Sequence, residues 1–516
     1  MTYLTVPISA RDITQAKQQI SSAKAAGAEL LELRTDYLDG LNIELAKEML
    51  AAANQAALPI VVTCRDSNEG GANNYPADLR SAILAMAAKN GAEFIDCEFE
   101  NFKNAGFARP IKNVLSENGK TKLILSAHSF DKKFNNVKNQ YLKIALSFPQ
   151  AIAKLAYKAE HINDCFEAFD LMAENKGSIV ICMGAAGVIT RILAKKLGSA
   201  LTFACLDDEN STAPGQITVG QLKNLYHFDS INEQTELFGI IADPVGHSIS
   251  PAVHNRCFDA CNLNKLYLPL LVGDGKLEFD EFMKNVMARE WLNFKGFSVT
   301  IPHKGDALEF VRNSGNFVEP LAAKIGAVNT ITIGTGNRIS AYNTDYAGAL
   351  DGLTNTMGIT RKHLHDVKCA VIGAGGAARA ITAGLTDFGA KVTIYNRTES
   401  KAANLAAEFG ARHEPINAIA DTDARIIINC TSIGMYPNID ATPVPAEVLN
   451  SNMVVFDTVY NPAETKLLAD TKKVGAKTVG GVEMFIGQAA EQFKHFTGQM
   501  CDENIMRQAV NAAMNL

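Results

Sequence analysis

The sequence has few of the features that mark several large protein classes. It contains ten cysteines but no Cys-x-x-Cys pair, and its closest cysteines, Cys257 and Cys261, have helical rather than zinc-ribbon spacing. No uncharged apolar run reaches about 18 residues, so no membrane-spanning helix is predicted. The chain also has no basic block and no basic stripe interleaved with aromatic residues. We therefore expect reduced thiols, no metal site, no membrane association and no nucleic-acid partner.

The composition is that of a globular protein. Hydrophobic residues make up 47% and charged residues 20% of the 516 positions, and the formal net charge is −6. This length exceeds one ordinary core and predicts several domains. The first residues, MTYLTVPISA, resemble neither a signal peptide nor a transit peptide, which favours a cytoplasmic protein. Small anionic substrates are compatible with the net charge, and the sequence leaves the oligomeric state open.

Short apolar runs alternate with helical stretches over the first 206 residues. Eight such βα units in one domain are typical of a (β/α)8 barrel, whose catalytic groups lie at the carboxyl ends of the strands. Polar residues fall in or just after the second half of several runs, where a buried parallel strand would not tolerate them without a reason. The runs are 3–8, 28–34, 59–65, 92–98, 122–128, 151–157, 178–183 and 200–206.

The chain beyond the barrel is predicted to form a second α/β region. A polar segment, 227–236, separates the barrel (1–226) from a new strand and is interpreted as a linker. From 237 to about 345 apolar runs again alternate with helical stretches, and the segment 367–385 opens a second α/β unit. The predicted fold class is thus α/β, with an N-terminal (β/α)8 barrel fused to a second α/β half.

Lys154 is the most informative residue of the barrel half. It lies inside the apolar run AIAKLAY, where a protonated amine is costly unless its pKa falls or it has a partner, and a desolvated lysine is a nucleophile toward ketones. A snorkelling or salt-bridged lysine is the alternative. His128 ends the preceding run, and Glu69 is placed to orient it. Lys158, beyond the apolar run, is the competing nucleophile.

Several motifs of this half resemble type I 3-dehydroquinate dehydratases. They are ELR (32–34), TCRDSNEGG (63–71), ILSAHSF (124–130), AKLAYKA (153–159), MGAAGVITR (183–191) and STAPGQI (211–217). The resemblance implies that Lys154 forms a Schiff base with the substrate ketone and that His128 acts as general base and then acid, with Glu69 beside it. It also implies substrate binding by Glu32, Arg34, Arg65, Arg191, Thr212 and Gln216. Arg191 would pair with the substrate carboxylate, and Thr212 replaces a serine found in many members.

A glycine-rich turn opens the second α/β unit of the other half. Gly373, Gly375 and Gly376 follow the apolar run CAVI and precede a helical pattern, as in dinucleotide-binding turns. An NAD-specific unit would place Asp or Glu after the next strand. This chain has Asn396, Arg397, Thr398 and Lys401 there, which favours the 2′-phosphate of NADP. A solvated helix start is the alternative reading of Arg397 and Lys401.

Further motifs of this half resemble shikimate dehydrogenases. They are DPVGHSISPAVHN (243–255), FSVTIPHK (297–304), GAVNTI (326–331), YNTDYAG (342–348) and IGQAAEQF (486–493). The resemblance implies a catalytic pair, Lys304 and Asp345, able to move the hydroxyl proton while hydride moves to or from nicotinamide. Ser298 departs from the asparagine of many single-function members, and His303 is interpreted as a bystander.

The same resemblance implies a two-domain α/β dehydrogenase, with a substrate-binding domain over 237–348, completed by about 482–516, and a Rossmann-like NADP-binding domain over 349–481. It also implies the remaining binding residues. For shikimate they are Ser248, Ser250, Thr300, Asn329 and Gln488. For NADP they are Gly373, Ala374, Gly375, Gly376, Ala377, Asn396, Arg397, Thr398, Lys401, Thr431, Tyr460, Gly481 and Met484.

Together the two halves predict consecutive reactions on small-molecule substrates. We expect dehydration of 3-dehydroquinate to 3-dehydroshikimate, then NADPH-dependent reduction to shikimate. One alternative is the same fold with a dehydrogenase that uses both quinate and shikimate. Another is an inactive metabolite-sensing regulator, against which the intact Lys154/His128 and Lys304/Asp345 sets argue. A class I aldolase would share the barrel and its lysine but not the other motifs.

Overall fold

The computed structural model of the chain describes residues 2–207, 215–246 and 248–514, apart from the side chain of Asn118. Contacts between Cα atoms divide the chain into two compact units. The first comprises Met1–Glu236, Asp243–Gly246 and Leu268–Asn293, and the second comprises Leu237–Ala242, His247–Tyr267 and Phe294–Leu516. No helix in the described part of the chain is long and apolar enough to cross a membrane.

The first unit contains an eight-stranded, nearly closed parallel barrel, which confirms the predicted fold. Its strands are β1 (Tyr3–Ile8), β2 (Leu30–Arg34), β3 (Ile60–Thr63), β4 (Phe94–Glu98), β5 (Lys122–Ser129), β6 (Ile152–Lys158), β7 (Ile179–Met183) and β8 (Leu201–Phe203). The order is β7-β6-β5-β4-β3-β2-β1-β8. Beside the gap between β7 and β8, the Ala200 amide donates to the Ser178 carbonyl at 3.3 Å.

Helices follow the strands around the barrel. They are α1 (Ile13–Ala26), α2 (Ile43–Asn54), α3 (Ala77–Lys89), α4 (Phe99–Phe102), α5 (Ala105–Asn118), α6 (Val137–Ser147), α7 (Phe166–Glu174), α8 (Val188–Ile192) and α9 (Ala194–Leu197). Local sequence sets their limits. The Asp12 carboxylate accepts from the Gln15 amide at the start of α1, and Gly27 ends that helix in the left-handed conformation.

The barrel interior is layered. Successive residues of a strand point to opposite faces, so alternate residues face the interior. The amino-terminal halves of the strands supply an apolar cluster that includes Leu30, Val61, Phe94, Ile124, Ile179 and Leu201. Two residues further along four of these strands come Glu32, Thr63, Asp96 and Ser126, all buried. Polar groups therefore begin one layer above an apolar floor.

A segment from beyond the predicted linker also belongs to the first unit. The guanidinium of Arg289 donates to both carboxylate oxygens of Asp170, at 2.8 and 2.7 Å. The Asn163 amide donates to a Glu278 carboxylate oxygen at 3.1 Å. This segment lies within the predicted substrate-binding domain, 237–348, whose limits stay a prediction. The contacts join the segment to α7 and the loop before it.

The chain after residue 236 forms two six-stranded sheets. The first sheet has the order β10-β9-β11-β13-β14-β12, in which β13 runs antiparallel to both β11 and β14. Its strands are β9 (Glu236–Ala242), β10 (Lys265–Leu271), β11 (Phe294–Val299), β12 (Phe317–Val318), β13 (Thr330–Ile333) and β14 (Ile339–Tyr342). The helices of this region are α10 (Ser250–Ala260), α11 (Lys276–Met287), α12 (Lys304–Asn313), α13 (Pro320–Ile325) and α14 (Thr344–Met357).

The second of these sheets is parallel throughout, with order β17-β16-β15-β18-β19-β20. Its strands are β15 (Lys368–Ile372), β16 (Lys391–Asn396), β17 (Arg412–Pro415), β18 (Ile426–Asn429), β19 (Val454–Asp457) and β20 (Lys477–Val479). The remaining helices are α15 (Gly376–Asp387), α16 (Glu399–Phe409), α17 (Lys466–Lys473), α18 (Gly481–Thr497) and α19 (Glu503–Met514). The strand order reverses at β15 and β18, the place where doubly wound sheets bind dinucleotides.

Candidate active sites

The barrel opens into a cavity at the carboxyl ends of its strands. Eight of the residues predicted for the barrel site line it: Glu32, Arg34, Arg65, Glu69, His128, Lys154, Arg191 and Gln216. Thr212 lies outside the described residues. Residues as far apart in sequence as Glu32 and Gln216 therefore converge, as the barrel topology requires of groups that end different strands.

Lys154 lies deep in this cavity and is paired. Its side chain is only 5% exposed, and its Nζ donates to Oδ2 of Asp96 at 2.6 Å. The ammonium also lies 4.8 Å from the ring centroid of Phe203. The partner that a buried ammonium needs is thus a carboxylate two strands away, on β4. The structure thus gives Lys154 the charged partner that the sequence analysis had named as the alternative to a lowered pKa.

Asp96 belongs to a buried network. Its Oδ1 accepts from Ser126 Oγ at 2.7 Å and lies 3.0 Å from Nη1 of Arg65. Nη1 of Arg65 also donates to Glu98 at 2.9 Å. Burial alone raises the pKa of the Asp96 carboxyl, but the charges of Arg65 and Lys154 outweigh it and hold that pKa well below the usual range. Asp96 is therefore a carboxylate at neutral pH.

His128 and Glu69 form the other polar pair of the cavity. Nδ1 of His128 lies 2.9 Å from Glu69 Oε2, and the His128 amide donates to the same oxygen at 3.1 Å. Burial lowers the pKa of His128 well below its usual value, and the charges of Arg65 and Lys154 lower it further. Burial raises the pKa of the Glu69 carboxyl to about 7. The imidazole is therefore neutral and available as a base.

Arg191 is a fully buried cation that lines the cavity. Its Nη1 donates to the Cys182 carbonyl at 2.8 Å, and its Nε has no hydrogen-bond partner within the described ranges. Burial lowers the pKa of Arg191 to about 10. A buried guanidinium whose donors are incompletely used attracts an anion, and a carboxylate fits its fork.

The other arginine and glutamate predicted for this site are held by neighbours. Arg34 donates from Nε and Nη2 to the two oxygens of Asp36, at 2.9 and 2.8 Å. The Thr63 hydroxyl donates to Glu32 at 2.8 Å. These bonds fix both side chains before any ligand binds, which reduces the entropy lost on binding.

In the second unit, hydrogen bonds join three of the predicted residues. Nζ of Lys304, at the start of α12, donates to Asp345 Oδ2 at 2.6 Å. Nδ2 of Asn329 donates to the other oxygen of Asp345 at 2.9 Å. The Thr344 amide donates to Asn329 Oδ1 at 2.7 Å and so fixes the asparagine. Lys304 and Asp345 remain partly exposed, with side-chain exposures of 31% and 20%.

The other residues predicted to bind shikimate lie on neighbouring elements. The Ser250 amide donates to Ser248 Oγ at 3.3 Å, and the Thr300 amide donates to the Ile241 carbonyl at 3.0 Å. Gln488 lies on α18 where this helix crosses α14, because a Cβ on Gly348 would lie 2.4 Å from the Gln488 nitrogen. That crossing is one turn from Asp345. Among the residues that the structure describes, no hydrogen bond joins Ser248, Ser250, Thr300 or Gln488 directly to the lysine–aspartate pair.

The glycine-rich turn connects β15 to α15, as predicted. Gly373 has φ +110° and its amide donates to the Tyr395 carbonyl at 2.8 Å. A Cβ placed on Gly375 or Gly376 would meet nothing within 4 Å, so the start of α15 is open. Ala374, Gly375, Gly376 and Lys401 line one cleft, and Ala377 follows in the first turn of the helix. An open helix start beside a lysine suits a phosphate-bearing cofactor.

The remaining residues predicted for the cofactor lie at the same edge of the sheet. Asn396 ends β16 and donates to the Thr398 carbonyl at 2.8 Å, Arg397 is exposed between them, and Thr398 precedes α16. Thr431 follows β18 and donates to Asn429 Oδ1 at 2.7 Å. Tyr460 follows β19 and is 52% exposed. Gly481 and Met484 lie in the first turn of α18.

Sequence reasoning missed the residues that hold the predicted ones. Asp96, Ser126 and Asp36 contact Lys154, Arg65 and Arg34, yet none was singled out. A signal for Asp96 did exist, because it is a charge in the middle of the apolar run AEFIDCE. Gln492 was also missed: it accepts from Ser298 at 2.8 Å and donates to the Asn329 carbonyl at 3.3 Å. Ser298, which replaces the asparagine of many single-function members, is thus hydrogen-bonded to a glutamine on α18.

Models of known families match the chain in order. Residues 4–233 match type I 3-dehydroquinase, and 240–331 match the shikimate dehydrogenase substrate binding domain. Residues 357–455 match shikimate / quinate 5-dehydrogenase, and 481–510 match the shikimate 5'-dehydrogenase C-terminal domain. The chain is similar to the chloroplastic bifunctional 3-dehydroquinate dehydratase/shikimate dehydrogenase of Arabidopsis thaliana, with 35% identity over 96% of this chain and 82% of that one. It belongs to the bifunctional 3-dehydroquinate dehydratase/shikimate dehydrogenase family.

Two further similarities concern the shikimate dehydrogenase half of this family member. A shikimate dehydrogenase (NADP(+)) of Methanosarcina mazei is 41% identical, over 54% of this chain and 99% of that protein. A crystal structure of shikimate 5-dehydrogenase from Thermus thermophilus, in complex with NADP(H) and shikimate, is 32% identical. It covers 54% of this chain and 99% of that chain, with a TM-score of 0.47.

Proposed function

We propose that the chain converts 3-dehydroquinate to 3-dehydroshikimate in the barrel and then reduces that product to shikimate with NADPH in its second half. The observation that carries the proposal is the convergence of Lys154, His128 and Arg191 on one cavity. It combines a nucleophile, a neutral base and an incompletely paired buried cation, which are the groups needed to dehydrate a carboxylated hydroxyketone through an imine.

In the barrel, each group has a distinct task. Arg191 binds the substrate carboxylate and orients the ring, with Arg34, Arg65, Glu32 and Gln216 around it. Lys154 attacks the ketone and forms an iminium, which acidifies the adjacent C–H bond. His128, whose Nδ1 is held by Glu69, removes that proton through Nε2 and later gives it to the departing hydroxyl. Gln216 is proposed to help hold the ring hydroxyls and close the site, and Thr212 is proposed as a further substrate-binding residue.

In the second half, Lys304 and Asp345 act on the substrate hydroxyl or carbonyl. Lys304 donates a hydrogen bond to the carbonyl oxygen during reduction, and the pair relays the proton that forms the hydroxyl. Asn329 fixes Asp345 and contacts the ring with Gln488, while Ser248, Ser250 and Thr300 bind the carboxylate. When bound, NADPH supplies the hydride.

NADP would be held by this chain's own groups at the β15 edge. The start of α15 at Gly375 and Gly376 leaves room for a pyrophosphate. Arg397, Thr398 and Lys401 bind the 2′-phosphate, and Asn396 positions their loop. Thr431, Tyr460, Gly481 and Met484 form the nicotinamide side.

A coupled assay tests the proposal. The purified chain is given 3-dehydroquinate and NADPH, and shikimate is measured by chromatography while NADPH absorbance is followed. Shikimate formation with matching NADPH loss is expected, and Lys154→Ala should block it with 3-dehydroquinate but not with 3-dehydroshikimate. A folded protein that oxidises no NADPH with either substrate would refute the assignment. Quinate as a second substrate, run in parallel, separates the strict from the dual-specificity enzyme.

A further inference from the structure

Lys154 and Arg65 contact different oxygens of the Asp96 carboxylate. Oδ1 of Asp96 is shared by Ser126 and Arg65, whereas Oδ2 accepts from Lys154 at 2.6 Å. Asp96 is 1% exposed and Lys154 is 4% exposed, so water screens this contact little. The pair spans β4 and β6, with Ser126 on β5 between them. Asp96 therefore touches the nitrogen at which the proposed chemistry takes place.

We propose that Asp96 is the counter-ion of the Lys154 iminium and keeps that nitrogen charged through the dehydration. The inference rests on the proposed Schiff-base function of the barrel. It adds a catalytic residue to Lys154 and His128, because Asp96 contacts a reacting atom.

The balance of charge at the nitrogen explains why a counter-ion is needed. The ammonium of Lys154 and the ketone combine, the C=O bond gives way to C=N, and one water leaves, so the nitrogen carries one positive charge before and after. When His128 removes the proton from the carbon next to the iminium, the C–H electron pair forms a C=C bond and the C=N electron pair moves to nitrogen, which gives a neutral enamine. The nitrogen electron pair then re-forms the C=N bond, and the C=C pair shifts to expel the hydroxyl. The hydroxyl leaves as water with the proton from His128, and the nitrogen is again an iminium. Water finally releases the product and restores the ammonium.

A buried iminium without a counter-ion would lose its proton and become a neutral imine, which is a poor electron sink. Asp96 prevents this, because its negative charge lies against the nitrogen in every charged state. Arg65 does not cancel that charge, since Glu98 also neutralises Arg65, at 2.9 Å. The charged or titratable groups around the pair are Glu32, Arg34, Arg65, Glu69, Glu98, His128 and Arg191.

The counter-ion role predicts two opposite effects of Asp96→Asn. In the free enzyme the ammonium loses its partner, so Lys154 should be acetylated about tenfold faster at neutral pH. Turnover of 3-dehydroquinate should nevertheless fall by about 100-fold or more, because the iminium is no longer held protonated. The labelled peptide is quantified by mass spectrometry, and turnover is followed across the pH range. A purely structural role would lower labelling and turnover together.

Controls separate this role from misfolding. Asp96→Glu retains the charge and should restore part of the turnover. Asp170→Asn breaks a partly exposed ion pair of the first unit, with Arg289 at 2.7 Å, and should leave the acetylation rate of Lys154 unchanged. Should Asp96→Asn not fold, Ser126→Ala decides the matter. It removes a donor from Asp96 but keeps the carboxylate, so acetylation of Lys154 should be unchanged or slightly slower, never faster.

Two results would overturn the inference in distinguishable ways. An unchanged acetylation rate of Lys154 and unchanged turnover in folded Asp96→Asn would remove the counter-ion role, while borohydride trapping of the wild type still supports the Schiff base. A wild type that dehydrates substrate without any borohydride-trapped adduct would instead refute the proposed function, and the counter-ion role with it.

Discussion

Lys154 and Lys158 share strand β6, yet their side chains are 5% and 45% exposed. Lys158 ends the strand and pairs with Glu160 at 3.7 Å, outside the cavity lining. Four residues along one strand thus separate a buried amine from a solvated one. The cavity assigns the covalent chemistry to the buried amine.

Borohydride added during turnover should therefore fix the substrate's carbon skeleton to Lys154. Lys154→Ala should lose both the adduct and dehydration, because no other amine lines the described cavity. Lys158→Ala is the matched control and should keep both. His128→Ala should retain some adduct while losing most turnover, since imine formation and proton transfer are separate steps. Peptide mass spectrometry reports the modified residue, and an adduct on Lys158 would contradict the assignment.

Lys304→Ala should abolish shikimate oxidation while leaving dehydration nearly intact. Lys304 donates to Asp345 within the second unit, and the barrel cavity is lined by residues of the first. A loss of about 1,000-fold in kcat is expected for removal of a proton-transfer group. The exposed Lys362→Ala is the control and should change neither rate. Parallel loss of both activities with an intact fold would show that the halves depend on each other.

Arg397→Asp should weaken NADPH binding far more than NADH binding. A guanidinium–phosphate contact contributes on the order of 1.5–3 kcal/mol, and the substituted carboxylate would repel the 2′-phosphate. Fluorescence titration with both cofactors measures the preference. Arg412→Asp changes an exposed arginine at the next strand, β17, and should leave the ratio of the two affinities unchanged. If Arg397→Asp kept the NADPH preference, another residue would have to bind the 2′-phosphate.

The free energy of unfolding of Glu69→Gln, relative to wild type, should increase as pH rises. Burial raises the pKa of Glu69 to about 7 from an unfolded value near 4.5, so ionisation is less favourable in the folded chain. Wild type therefore loses stability as pH rises from about 4.5 through about 7, by about 1.4 kcal/mol per unit of pKa difference. Glutamine cannot ionise and escapes that loss.

Urea unfolding at pH 4 and pH 8 measures this difference. The free energy of unfolding of Glu69→Gln, relative to wild type, should be higher at pH 8 than at pH 4. Glu93→Gln, at an exposed pair with Lys122, should show little such change. A relative stability of Glu69→Gln that is flat across this range would mean that Glu69 titrates normally in the folded chain.

Local pattern was enough to predict the elements that carry the sites. The eight apolar runs correspond to β1–β8, and the glycine-rich turn connects β15 to α15. Periodicity and turn residues act over a few positions, which is why they can be read from one sequence. The predicted roles of individual residues, the domain limits and the position of Thr212 stay predictions.

Local sequence pattern could not predict which distant residues contact each other. The sequence places Lys154 in an apolar run but gives no reason to join it to Asp96, 58 positions earlier. The same holds for Ser298 and Gln492, which lie 194 positions apart. Such pairs depend on strand order and register, and these emerge only when the sheet is assembled.

The apolar cluster of the barrel lies beneath the polar side chains that line the cavity. Lys154 lies in this cavity, so the water released when the imine forms, the water consumed when it breaks, the substrate and the product all occupy the same space. A ligand bound above Lys154 would exclude the next substrate. It would also exclude the water that hydrolyses a covalent adduct on this lysine, so a tightly bound ligand would lengthen the lifetime of that adduct.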